Sequence, residues 1–528
     1  AKLDDVIAGF FTSEDGRANP VDLTMSLAKG ARNQGARIIE GVSVTGVHKE
    51  QGRVTGVSTD QGDIEAPIVV NCAGMWARQF GEMAGVNLPL QAAEHYYLIT
   101  DNMEGMHRDL PILEDPDSYA YYREEVGGLM IGLFEPVAKA WNVDHIPENF
   151  AFGEIDPDMD RMMPFLEKAY ERVPEAIELG IRKFFCGPES FTPDLAPLVG
   201  EAPELENYFV ACGLNSPCIL SAGGLGRLLA RWIINGRPDC DVSGINVNRF
   251  HNCQRNPKYR EDRLVEVLGK MYEPHFPNLG MSKARNVKQS VLHERLLKAG
   301  AHFNESAGWE IADWYATDGK PGVVERYSWG RQNWFADHEA EHHAARNDVV
   351  LMDMSFMSKF LVQGNDACKV LNQICCNEID VEDGRIVYTQ WTNEVGGLEA
   401  DLTVTRLARN EYMVIASDTT HGHVKMWMDR NIPKDSHAFV TDVTSSYTQL
   451  NIHGPKSREL LKTLTSVDVS NEVFPYLSSQ YIDIDYASVL AIRVTYVGEL
   501  GWEFYIPSEH AIQVYDRVVE AGKAFNLT

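Results

Sequence analysis

Apolar residues over 21–35 fall on one helical face at Leu23, Leu27, Ala28 and Ala31, and Gly35 offers a stop, so the spacing predicts a helix there. Short alternating runs at 37–39, 42–48 and 54–59 predict strands, the last two joined by a turn at Gln51-Gly52. Residues 67–74 read Pro-Ile-Val-Val-Asn-Cys-Ala-Gly. Such a run is expected of a fully buried parallel strand that ends in a glycine turn, where open α/β sheets place their ligands. Further β runs lie within 97–135, including 119–122 and 129–133, and 156–176 is spaced as a helix. A strand at 208–212 leads through a loop to a glycine-rich helix start, Ala222-Gly223-Gly224-Leu225-Gly226, with the helix running to about Asn235.

Charge and the prolines Pro257, Pro274 and Pro277 mark the region after 250 as a linking domain. From about 345 the pattern turns to strands with short helices. Strands are expected at 349–354, 359–362 and 448–452, a helix at 366–374 and a hairpin at 401–416. The fold class is therefore α/β followed by α+β in a multidomain chain, with domains at 1–250, 251–305 and 306–528. No short repeat and no low-complexity tract is present.

With 528 residues, 44% of them hydrophobic, the chain has material for large cores. Asp and Glu number 76 against 48 Lys and Arg, a formal charge of −28, which opposes a broad nucleic-acid or anionic-membrane surface. No apolar run reaches the roughly 18 residues needed to span a bilayer. The opening Ala-Lys-Leu-Asp-Asp lacks the pattern of a signal peptide. Nine cysteines, several in apolar runs (Cys72, Cys186, Cys212), suit buried thiols in a reducing compartment. Cys375-Cys376 reads either as a core feature or as a redox pair.

Two stretches carry chemistry in the rear half. Residues 393–403 place a Gly396-Gly397 turn before a β-branched run that Asp401 opens. Alone this is an ordinary hairpin with a surface carboxylate. The second stretch is Thr495-Tyr496-Val497-Gly498-Glu499-Leu500-Gly501-Trp502-Glu503. Together they resemble the folate-binding domain of glycine-cleavage aminomethyltransferases. The resemblance implies that Asp401 and Glu503 sit at the folate pterin, Asp401 orienting or deprotonating the folate amine. Tyr388, on the strand before the turn, is expected to stack on the ring.

Three features belong together in the front half: Asp15-Gly16-Arg17-Ala18-Asn19-Pro20 before a helix, Val70 to Ala77, and Phe191 to Gly200 followed by the strand, loop and helix of 208–226. They resemble amino-acid-oxidase-type flavin amine oxidoreductases. The closest branch is that of dimethylglycine dehydrogenase, sarcosine dehydrogenase and the pyruvate dehydrogenase phosphatase regulatory subunit, whose members also carry the aminomethyltransferase-like half. The resemblance implies FAD and tetrahydrofolate as cofactors. Val44 would hold the adenine through its backbone, and Trp76 would stand beside the cofactor. Leu214, Asn215, Ser216, Pro217 and Cys218 would line the isoalloxazine edge. Gly223-Gly224, as a helix start, would face the charge of the reduced ring with free N–H groups. The fold implied is a partial FAD domain, whose Rossmann-like sheet is incomplete and is joined by an antiparallel substrate sheet, then a linker and a partial folate domain. No GxGxxG turn precedes the first helix, and no later Arg motif follows Glu503. The resemblance thus implies a fragment lacking both ends of a protein of roughly 800 to 850 residues.

Oxidation of an N-methylamine needs a neutral nitrogen, hence a base or acceptor on the protein. His95, which follows Glu94 on a β run, matches a histidine of the dimethylglycine-oxidising relatives. Tyr121, with Tyr119 or Tyr122 as substitutes, matches a tyrosine run opposite it, and Arg123 is a possible partner for a substrate carboxylate. The implied activity is FAD-dependent N-demethylation of dimethylglycine or sarcosine, with electrons passed to an electron-transfer flavoprotein or oxygen. The imine would reach folate through an internal cavity. The alternative is a non-catalytic regulatory subunit that partners the pyruvate dehydrogenase phosphatase catalytic subunit, a branch that Asn215-Ser216-Pro217 resembles more closely. The compartment implied is the mitochondrial matrix in a eukaryote and the cytoplasm in a bacterium. One motif stands outside this scheme: His338-Glu339-Ala340-Glu341-His342 matches a zinc-protease pattern, but no clear third ligand follows, and no metal is expected.

Overall fold

The computed structural model describes residues 1–317 and 324–528. They divide into two compact units, Ala1–His275 with Ser282–Ala284, and Phe276–Met281 with Arg285–Thr528.

In the first unit the helix Pro20–Asn33 forms where the spacing places it. Asn19 caps it, its side-chain oxygen accepting from the Val21 and Asp22 amides at 2.9 and 3.1 Å. None of its residues is buried, so its apolar face is uncovered among the described residues. Residues 37–39 form no strand, contrary to expectation, because no neighbouring strand pairs with them. The antiparallel strands Val44–Glu50, Arg53–Thr59 and Gly62–Glu65 make one small sheet.

The expected fully buried strand at 67–74 is shorter and only half covered. Val69–Asn71 pairs parallel with Tyr208–Cys212, which pairs antiparallel with Leu198–Glu201. Val69 and Asn71 are buried, but Val70 stays exposed at the edge of a face on which Phe209 and Val199 pack against Leu229 and Trp232. Asn71 knits the following turn: its amide group donates to the Ala77 carbonyl and its oxygen accepts from the Ala73 amide.

The largest sheet of this unit runs Leu113–Asp115, Ala120–Glu125, Gly128–Leu133, Gln91–Asn102 and Ile181–Phe191, antiparallel throughout. One face packs on the helix Met159–Arg172 through Tyr96, Leu98, Tyr122, Ile131 and Leu133. The other face presents His95, Tyr97 and Tyr121, since side chains alternate along a strand. Gly132 lies directly across from both Tyr121 and Tyr97, and a Cβ there would stand 2.0 Å from the Tyr121 ring. That glycine lets the tyrosine lie flat over the sheet toward His95.

The second unit holds two five-stranded antiparallel sheets. One runs Val350–Asp353, Tyr447–His453, Gly501–Pro507, Ala487–Ile492, Ser479–Ile484; the other Ile386–Thr392, Leu398–Ala408, Glu411–Ala416, Ser358–Gln363, Phe439–Asp442. Ile386, Met413 and Ile415 of the second sheet meet Leu490, Ile492 and Tyr505 of the first, so the sheets share a seam. Their outer faces carry separate cores, with Trp502, Phe504 and Ile506 on one side and Leu402 and Val404 on the other. The turn after Gly396 has φ +82°, the left-handed conformation that glycine adopts freely.

Alternation turns Lys359 and Leu361 into the seam, while Phe360 between them faces the outer core. Lys359 is wholly buried, and its ammonium donates to the Met357 and Ser355 carbonyls at 2.7 and 3.1 Å. Burial pulls its pKa from 10.5 down to about 7, partly offset by the negative charges of Asp353, Glu503 and Asp442. The unfolded chain therefore binds the extra proton between these two values, and stability rises with pH across that window. Below about pH 7 the destabilisation is present in full. Urea unfolding of the unaltered chain and of Lys359→Met, compared from pH 6 to 10, should show a smaller rise in midpoint with pH in the variant; parallel curves would contradict the burial account.

Candidate functional site

The face of the large front sheet that carries His95, Tyr97 and Tyr121 lines a cavity of about 510 Å³. Trp76, His95, Tyr121 and Ser216, four of the residues singled out from sequence, all contribute to its wall. Tyr97, Phe150, Phe185 and Glu189 complete much of the remainder. Trp76 ends a short helical turn opened by Gly74, and its indole N–H donates to the Pro147 carbonyl at 2.9 Å. Phe134 packs against both His95 and Tyr121, with ring centroids 4.8 and 6.1 Å away.

His95 Nδ1 is buried and has no hydrogen-bond partner among the described residues. Burial lowers the imidazole pKa, against a weaker upward pull from the Glu189 carboxylate, so the ring stays neutral near pH 7. Burial also raises the Tyr121 phenol, which keeps its proton. The substitutes for Tyr121 lie elsewhere. Tyr122 points to the opposite face and donates to the Ala169 carbonyl, while Tyr119 stands edge-on to Phe165. Arg123 is not in the cavity wall; its guanidinium pairs with Glu125 at 2.9 Å and contacts the Met130 sulfur.

The loop before the long helix is wound in the left-handed region at Gly213, Asn215 and Ser216, with φ of +63°, +50° and +74°. Asn215 fixes it from below. Its oxygen accepts from the Thr192 amide at 2.7 Å, and its amide donates to the Gly213 carbonyl. Its side chain is thus an internal brace and not a surface toward a ligand. Leu214 and Pro217 flank the brace, and neither is in the cavity wall.

The helix itself spans Cys218–Asn235, not the stretch expected from 222 onward. Pro217 sets the start, so Gly223 and Gly224 lie in the second turn, past the amides that a helix leaves free. The exposed start belongs to Cys218, Ile219 and Leu220. A Cβ at Gly223, Gly224 or Gly226 would meet nothing within 4 Å, so no described residue demands glycine there. Val44 begins an exposed strand and is not in the cavity wall.

In the rear unit Asp401 lies across from Gln390 in its sheet. It accepts hydrogen bonds from the Gln390 amide and the Tyr388 hydroxyl, both at 2.9 Å. Ala400 and Leu402 face the outer core, so alternation turns Asp401 to the seam side. Glu503 stands between Trp502 and Phe504, which face the opposite outer core, and so it enters the seam from the other sheet. Glu503 is buried; Tyr505 donates to it at 2.7 Å and Asn451 at 3.3 Å, and burial raises its pKa. The Tyr496 phenol is raised by burial and then by the charges of both Glu503 and Asp401. Both carboxylates thus act on Tyr496; Asp401 and Tyr388 are exposed, and Glu503 is buried.

Sequence reasoning missed Glu189, Lys359, Gln390 and Tyr496 as members of these sites. Gln390 and Tyr496 were visible as polar positions beside Tyr388 and within the second motif. Cys72, expected inside, is exposed, whereas Cys186 and Cys212 are buried, and none of the nine cysteines is in a disulfide among the described residues. Cys375 is buried against the Trp391 indole N–H and Cys376 is exposed. His338 and His342 ride the helix Phe335–Asn347, where His338 Nε2 lies 3.4 Å from the Asp313 carbonyl. No group of three or more His, Cys, Asp or Glu among the described residues is placed to hold a metal. No helix among them is long and apolar enough to cross a membrane.

Family comparison matches residues 1–232 to the FAD dependent oxidoreductase domain, 235–290 to the FAD dependent oxidoreductase central domain and 292–528 to the GCVT N-terminal domain. The chain is 39% identical over 527 residues to a 4-methylaminobutanoate oxidase (formaldehyde-forming) of Paenarthrobacter nicotinovorans, covering 100% of this chain and 64% of that protein. It is 34% identical over 568 residues to the mitochondrial sarcosine dehydrogenase of Homo sapiens, covering 99% of this chain and 62% of the relative. To the mitochondrial pyruvate dehydrogenase phosphatase regulatory subunit of Mus musculus it is 31% identical over 531 residues, covering 99% and 60%. The chain thus spans somewhat over three fifths of the length of these relatives.

These matches assign FAD to the front domain and tetrahydrofolate to the rear one. The residues present fit both groups. In front, an unpartnered imidazole nitrogen faces a cavity beside an exposed helix start. Behind, a buried and an exposed carboxylate both act on Tyr496. The chain belongs to the family in which an FAD dependent oxidoreductase domain is joined to a GCVT domain, the family of sarcosine dehydrogenase, dimethylglycine dehydrogenase and the pyruvate dehydrogenase phosphatase regulatory subunit.

Proposed function

We propose that this chain is part of an FAD-dependent oxidase or dehydrogenase that demethylates an N-methylated glycine, dimethylglycine or sarcosine, and passes the one-carbon unit to tetrahydrofolate. The observation that carries the reading is the front cavity, which gathers Trp76, His95, Tyr121 and Ser216 from four separate segments. FAD, when bound, supplies the acceptor for the two electrons that leave the methyl carbon.

The protein's part is to hold the amine neutral, oriented and dry. His95 is neutral, and in its Nε2–H tautomer Nδ1 takes the proton of the incoming ammonium, which leaves the amine neutral with its lone pair free. The protonated Tyr121 is a donor from the same face, and the Trp76, Tyr97 and Phe185 rings keep water from the nitrogen. Trp76, Ser216 and the helix start at Cys218 would hold the cofactor's ring, with Leu214 and Pro217 setting the loop. Val44 would take the adenine. In the rear domain Asp401 would orient or deprotonate the folate amine, Glu503 would hold the pterin and Tyr388 would stack on it. On this reading the domains divide near residues 250 and 305. The electron acceptor would be an electron-transfer flavoprotein or oxygen. The setting would be the mitochondrial matrix in a eukaryote and the cytoplasm in a bacterium.

A second reading is a regulatory subunit that binds a pyruvate dehydrogenase phosphatase catalytic subunit without turnover. It draws on the Asn215-Ser216-Pro217 loop and on the relative of that name. Anaerobic mixing of the flavin-loaded protein with sarcosine or dimethylglycine separates the two: the first reading expects the yellow colour to bleach. Persistent colour with every N-methylglycine, together with capture of the phosphatase subunit, would favour the second.

A change of Asp401→Asn should leave bleaching intact while methylene-tetrahydrofolate formation falls by about tenfold or more and free formaldehyde accumulates. Unchanged folate product in that variant would remove Asp401 from the transfer step.

A further inference from the structure

We infer that Glu189 and the aromatic rings around it form a cation subsite that receives the substrate as an alkylammonium ion. The inference rests on the amine-oxidising reading above and adds to it the residue that selects for charge. Glu189 stands on the strand Ile181–Phe191, directly across from Ala93, while Gly187, two residues earlier, is across from His95. Alternation therefore places Glu189 on the same sheet face as His95. Ala93 and Gly187 are small, and a Cβ on Gly187 would stand only 2.7 Å from the Phe185 ring, which folds over it. The carboxylate is left room to reach the cavity, whose wall it joins.

Glu189 Oε2 is shielded from solvent and has no hydrogen-bond partner among the described residues. Its charge acts on both the His95 ring and the Tyr121 phenol, which places it among the groups proposed to handle the amine. A shielded carboxylate oxygen without a partner is costly, and a bound cation is what relieves it. The walls supply the rest: Trp76, Tyr121 and the stacked pair of Tyr97 and Phe185 line the cavity, and aromatic rings attract alkylammonium groups. Among the described residues no Lys or Arg is in the wall; Lys183, which lies over the Phe185 ring, is paired with Glu154 at 2.7 Å, and Arg123 is paired with Glu125. The cavity thus has a counter-charge for the amine and none for a carboxylate. Its selectivity is for the cationic nitrogen, and the acid group of an amino-acid substrate is not held by its wall.

Choline and its neutral isostere 3,3-dimethyl-1-butanol provide the test, because a quaternary nitrogen has no lone pair and cannot be oxidised by hydride loss. Each is titrated by calorimetry into the flavin-loaded protein, into Glu189→Gln and into Glu189→Asp. Choline should bind the unaltered protein about tenfold or more tightly than the isostere. Glu189→Gln should remove that preference without weakening the isostere, and Glu189→Asp should restore part of it. Equal binding of the two probes by the unaltered protein overturns the inference whatever the variants do, as does a preference that survives Glu189→Gln. A Glu189-dependent preference without bleaching by any N-methylamine would leave the subsite standing and sink the proposed reaction. Bleaching without the preference would do the reverse.

Discussion

A buried imidazole nitrogen and a shielded carboxylate oxygen, both without hydrogen-bond partners among the described residues, face one cavity in the front unit. Folded chains rarely leave such groups unpaired, because the lost hydration is not recovered from within the protein. The arrangement persists because the large sheet is rigid and its register is fixed over the long pairing of Gln91–Asn102 with Ile181–Phe191. Two glycines make it possible. Gly132 lets Tyr121 lie down across the sheet, and Gly187 does the same for Phe185. Remove either and a ring must rise into the cavity. The aromatic floor and the polar groups thus depend on one constraint, the absence of side chains at two strand positions.

The rear site is built on a different principle. There, two sheets meet face to face, and polar residues occupy a seam that is otherwise apolar. Glu503 is fully served by Tyr505 and Asn451, and Asp401 by Tyr388 and Gln390. Satisfied polar groups give a preorganised surface, in contrast with the open valences of the front cavity. Burial raises the Glu503 pKa, and the hydrogen bonds from Tyr505 and Asn451 and then the Lys359 charge pull against that rise.

Much of this was legible in the chain. Motif pairs such as 393–403 with 495–503 mark the rear site because each leads from a turn or loop into a strand that carries its carboxylate, and the strands and hairpin of that unit form where expected. His95 and Tyr121 stand out as polar rings in β runs. What escaped was set by tertiary pairing. Glu189 gains its meaning only from its register with Ala93, almost a hundred residues away in sequence, and no local pattern reveals that. The helix start was misplaced because glycines look like an entry turn, whereas Pro217 fixes φ and the helix begins at Cys218, four residues before Ala222. The strand at 69–71 reads as fully buried from composition, yet burial depends on layers that a single segment cannot report.

A crystal structure of the flavin-loaded protein with an unreactive N-methylated amine tests the central claim most directly. The account predicts the amine nitrogen inside the front cavity, within hydrogen-bonding distance, about 3 Å, of the groups at His95 and Glu189. An amine bound outside that cavity, with His95 Nδ1 and Glu189 Oε2 still unpaired, would contradict it.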